Sequence, residues 1–89
     1  MEELMTWDEI KKMYPNTFVL LDNFKEKKKD SNKNIVIKGK VIFASTEGKK
    51  VYDEYRIKGK LSDMVFGYTG WKDLEIEEIP FMGLRFANS

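Results

Sequence analysis

Three carboxylates, Glu75, Glu77 and Glu78, fall within four positions of the stretch WKDLEIEE. Carboxylate oxygens are what hard cations such as Ca²⁺ or Mg²⁺ take as ligands, but the spacing of an EF-hand is absent. The group therefore reads first as a solvated acidic loop. Tyr52, Tyr55 and Tyr68 would serve as general acids only with a partner to receive or return the proton. Their helical and strand spacing makes them core-edge residues first. The chain has no His and no Cys, which excludes imidazole-based triads, thiolate nucleophiles and the usual zinc sites. No G-x-x-x-x-G-K-[ST] or G-x-G-x-x-G string occurs, so the familiar phosphate-binding loops are missing as well. The expectation is a protein that is not an enzyme and needs no cofactor.

Binding chemistry is better represented. Lys25, Lys27, Lys28, Lys29 and Lys33 crowd one polar stretch, KEKKKDSNKN, and Lys38 and Lys40 follow it. Such an arm would neutralise several phosphates of a nucleic acid, with affinity falling steeply as salt rises. It lacks interleaved aromatics for base stacking and Arg for bidentate base contacts. A Lys-rich loop also serves simply to keep a sheet soluble and to block edge pairing. The other candidate is the apolar stretch IPFMGLRF near the C-terminal end. Met82, Leu84 and Phe86 share one face of an extended segment, and Phe81 lies on the other. This strand either completes the domain's own sheet or adds to a partner's, where edge hydrogen bonds supply affinity and alternate side chains supply specificity. A homodimer is the simplest assembly if it is exchanged between copies.

The elements that would carry these residues follow from local signals. In MTWDEI, Thr6 and Glu9 have the spacing of a capping box, with Met5 and Ile10 placed for a hydrophobic staple. A helix over 7–14 follows, stopped by Pro15. NTFVLLDNF reads as a strand with Phe18 and Leu20 on one face and Val19 and Leu21 on the other, KEKKKDSNKN as a hairpin loop, and NIVIKGKVIFAS as the returning strand. In that strand Ile35, Ile37, Val41 and Phe43 share one parity, Lys38 and Lys40 the other, and Gly39 marks a bulge or bend. Ser45 or Thr46 can cap a second helix over 47–58, which Gly59 would end. MVFGYTG is a third strand, and WKDLEIEE an acidic connection before the apolar tail. The order is α-β-β-α-β-(β), an α+β fold with two helices laid on one face of a small, largely antiparallel sheet. The helical connection between the second and third strands allows them to be parallel neighbours joined by a right-handed crossover.

Composition sets the frame. The 89 residues are 42% hydrophobic, close to the roughly 45–50% of globular domains, and form one domain, residues 1–89. A chain of this size buries about 60–65% of the surface it exposes when unfolded, so its core is modest. Six Phe, four Tyr and two Trp enlarge it. The lack of cysteine fits a reducing cytoplasm, the acidic opening lacks a signal peptide's basic region, and no apolar run spans a membrane. A formal net charge of +1 hides a segregation. Residues 25–60 hold twelve Lys or Arg against five Asp or Glu, a net of +7, while the first ten residues and residues 72–89 are acidic. That asymmetry guides association without naming a partner.

The strings TWDEIKKMYPNTFVLL, GKVIFAS, VYDEY and YTG together resemble a group of small uncharacterised bacterial proteins. These share a TW-acidic-acidic-I…YP…W/F-V opening and a G-x-V strand leading to a helix. The likeness covers most of residues 5–70, and its motifs are structural: a cap, a stop, a strand and a helix. It implies no functional residue, because the group has no established activity. Members often neighbour small proteins of the retroviral aspartyl-protease type, and IPFMGLRF resembles an opening strand of those, which implies a protein partner. No D-T/S-G triplet occurs in this chain.

Overall fold

The first helix forms where its cap places it. In a computed structural model, which describes residues 4–58, 64–79 and 84–88, α1 runs Trp7–Met13 after a two-residue strand, β1 (Met5–Thr6). The Thr6 hydroxyl accepts the Glu9 N–H at 3.2 Å, and the Thr6 N–H donates to the Glu9 carboxylate at 2.9 Å. Two otherwise orphaned donors are thereby satisfied. Ile10 and Trp7 are the buried side of this helix. The Tyr14 N–H closes its last turn on the Ile10 carbonyl, and past Pro15 the chain turns back through Asn16 at φ 52°.

The remaining elements are β2 (Phe18–Asp30), β3 (Lys33–Ser45), α2 (Gly48–Lys58), β4 (Val65–Tyr68), β5 (Glu75–Ile79) and β6 (Leu84–Asn88). The sheet order is β4-β2-β3-β5-β6, with β1 added to β3, and every described pairing is antiparallel. The second and third strands of the sequence reading, β3 and β4, are thus not neighbours. They flank β2, and α2 carries the chain over it. The end strands β4 and β6 approach each other, so the sheet curls, but no ladder joins them among the described residues.

Two faces of the sheet are covered by different helices, not one face by both. Val19 and Leu21 of β2 join Trp7 and Ile10 of α1 in a core with Val36, Val65, Leu74 and Ile76. On the opposite face, Phe18 stacks on Phe66 at 5.8 Å and meets Tyr68 at 4.6 Å, while Leu20 and Val51 are fully buried. Tyr52 of α2 packs edge-on to Phe66. The alternation of VLL in β2 requires this arrangement: a strand apolar on both sides needs cover on both. Each fully buried aliphatic residue contributes on the order of 1.5–3 kcal/mol by transfer.

Three expectations are corrected here. The Lys-rich stretch is not a loop: β2 continues to Asp30, and only Ser31–Asn32 turn, held by the Asn32 N–H donating to the Asp30 carboxylate at 3.0 Å. The inward residues of β3 also change phase. Val36 is buried while Ile37 is 42% exposed, and Val41 pairs with Leu21 but Phe43 with Leu20, on the other face. Register shifts at Leu20/Leu21 and between Asp22 and Glu26, with Asn23 at φ 48°, account for the slip, since each extra residue reverses the side-chain alternation. WKDLEIEE is likewise no solvated loop. Its second half lies in β5, where Glu75 and Ile76 are buried, and Leu74 just before the strand is buried too.

The C-terminal stretch pairs within its own chain. Ile79 stands opposite Leu84 and Glu77 opposite Phe86 in the β5–β6 register. Phe81, Met82 and Gly59 lie outside the described residues. No helix among those described is long and apolar enough to cross a membrane.

Candidate functional site

The β2–β3 hairpin divides the seven lysines into two groups. Lys25, Lys27, Lys28 and Lys38 are exposed. Lys25 and Lys38 stand directly opposite each other in the ladder, Lys27 faces Ile35, and Lys28 faces Asn34. Like charges directly across a ladder repel, so Lys25 and Lys38 concentrate positive charge on this part of the arm. The other three lysines are turned toward carboxylates. Lys40 is opposite Asp22, and Lys33 stands between Asp30 on one side and Glu77 on the other. Lys29 forms an ion-paired hydrogen bond with Glu75. That bond raises the Lys29 pKa above its ordinary value, against a smaller opposing effect of desolvation. The acidic β5 strand therefore neutralises part of the basic arm.

Glu75 belongs to no metal cluster, and none exists among the described residues. It is 7% exposed overall, at the edge of an open cleft of about 500 Å³. Lys29 lines one side of the cleft, and Gly70, Trp71, Lys72 and Asp73 of the β4–β5 loop line the other. This loop is tied down at several points. The Thr69 N–H donates to the Thr17 carbonyl at 2.9 Å, and the Thr69 hydroxyl accepts the Thr17 N–H at 2.8 Å and donates to the Tyr14 carbonyl at 2.5 Å. Lys11 Nζ donates to the Lys72 carbonyl at 2.9 Å, and the Trp71 N–H closes a turn on the Tyr68 carbonyl at 3.0 Å. A Cβ at position 70 would collide with the Tyr68 ring, so the turn accepts only glycine without rearrangement. The wall of the cleft is thus preorganised.

Sequence reasoning missed the cleft. It grouped Glu75 with Glu77 and Glu78 by proximity, whereas the apolar alternation of Leu74 and Ile76 around Glu75 was the signal for a strand. The tyrosines are packing groups: Tyr52 and Tyr55 lie 6.5 Å apart, and Tyr68 sits edge-on to Trp71 at 6.4 Å. Compared with family models, curated proteins and solved structures, the chain matches none of them.

Proposed function

We propose that the protein works without chemistry of its own, through contact with another protein or a second copy of itself at the seam between β6 and β4. The observation that supports this reading is the unladdered edge of β6. Among the described residues it is the end strand of the sheet and ladders only with β5, with β4 near but not joined to it, and its sequence LRFAN carries two large apolar residues. A strand with one free edge is a template for β-addition. The expected outcome is a dimer or a retained partner at micromolar concentration, measured by sedimentation velocity together with affinity capture. A monomer that retains nothing would contradict it.

One observation favours a second reading, in which the hairpin binds nucleic acid. Lys25, Lys27, Lys28 and Lys38 make up a cationic patch on one arm, with Lys25 and Lys38 in direct opposition. Each phosphate neutralised contributes about −0.9 to the slope of log K against log salt on duplex DNA. Replacing Lys27 and Lys28 with Ser would flatten that slope by about 2 if both touch phosphate. Absence of binding to mixed DNA and RNA at low salt would end this reading.

A further inference from the structure

We propose that the cleft between β2 and the β4–β5 loop receives a guanidinium side chain from a protein partner, and that Lys29 occupies it in the free chain. This inference rests on the protein-contact reading above and names one chemical requirement of the partner. The Glu75 side chain is only 10% exposed, whereas that of Lys29, which pairs with it, is 46% exposed. A buried carboxylate is costly unless a cation or hydrogen-bond donors compensate it. Its present cation arrives on a flexible side chain that can return to water at little desolvation cost. An ammonium offers Glu75 a point charge. A guanidinium offers a planar fork matching both carboxylate oxygens, and it is more weakly hydrated than an ammonium.

The rest of the lining suits the same group. Asp73 adds a second carboxylate to the cleft, and Trp71 supplies an aromatic wall held against Tyr68. An aromatic ring beside carboxylates is a favourable environment for a desolvated cation. An anion fits poorly: Asp73 and Glu75 repel it, and the charge of Lys29 is already engaged by Glu75. Lys72 is an exposed residue on the rim of the cleft, anchored through its carbonyl, which accepts from Lys11. The raised pKa of Lys29 agrees with a site that stabilises positive charge.

The test compares N-acetyl-arginine amide with N-acetyl-citrulline amide, which has nearly the same shape but no charge. Lys29→Met removes the resident cation, so this variant should melt lower than the native chain. The arginine probe should restore its melting temperature, and the citrulline probe should not. Affinity for the arginine probe should be about tenfold higher in Lys29→Met than in the native chain, because the native site is occupied most of the time. The double variant Lys29→Met/Glu75→Gln should lose the response. Equal effects of the two probes, or equal affinity in native chain and variant, would overturn the inference. Should Lys29→Met not fold, titration of the native chain decides: the Trp71 indole N–H resonance must shift with arginine amide and not with citrulline amide. Capture of one partner equally by the native chain and by Glu75→Gln would overturn this inference while leaving the protein-contact reading in place.

Discussion

At Thr6 and Glu9, two side chains three residues apart decide where the chain becomes helical. The Glu9 carboxyl is held below the usual carboxylate range, chiefly by the Thr6 backbone N–H and then by the Thr6 hydroxyl. A group whose pKa is depressed by folding contributes stability above its unfolded value, and that contribution is lost as pH falls through the folded value. The Glu9 part of the cap should therefore fade on acidification below the normal range of a glutamate. Lys29 has the opposite sign. Its folded pKa is raised, so its contribution is complete below the unfolded value and disappears only as pH climbs through the folded one. Thr6→Ala should cost about 0.5–2 kcal/mol at neutral pH, read from urea midpoints at unchanged slope. In Glu9→Gln, the acid limb of the stability–pH curve should flatten relative to the native chain. An acid limb of the same steepness in both would show that the carboxylate contributes nothing.

The elements differ in how far their sequences announce them, and the difference is physical. α1 was legible because its cap, staple and stop are all local: Thr6, Glu9, Ile10 and Pro15 lie within ten positions. The two-sided character of β2 was equally plain in Phe18–Leu21. The Lys-rich half of β2 was not legible, because its polarity reports exposure and not the lack of a ladder. Its strand structure comes from β3, which β5 holds from the other side through Asn34 and Ile35. The phase of β3 was misread for a related reason. Bulges at Ile42 and near Asn23 answer to the partner strand, and nothing in IVIKGKVIF fixes them. Glu75 was hidden by its charged neighbours, although Leu74 and Ile76 mark its strand.

The β5–β6 ladder gives the sharpest prediction at this scale. Deleting residues 79–89 removes the whole of β6 and uncovers one edge of β5, where Ile76 and Glu75 are buried. The loss should be several kcal/mol, large against the ~5–15 kcal/mol that holds a domain together. Thermal melts at several protein concentrations would separate two cases. A concentration-independent loss assigns β6 to its own sheet alone. A melting temperature that rises with concentration in the intact chain, and not in the truncated one, assigns it to an interface too.

Across the whole molecule, charge and edge structure divide the surface. Exposed Lys25, Lys27, Lys28 and Lys38 share one hairpin, acidic β5 lies beside it, and the curled sheet brings its two end strands close with no ladder between them among the described residues. The central claim is that this seam is where another chain docks. The most direct measurement is sedimentation velocity with affinity capture, run on the native chain and on Leu84→Lys/Phe86→Lys in parallel, with melts to show that the variant folds. The account predicts that the native chain dimerises or retains a partner at micromolar concentration and that the folded variant does neither. A native chain that stays monomeric and retains the same proteins as the variant would contradict it.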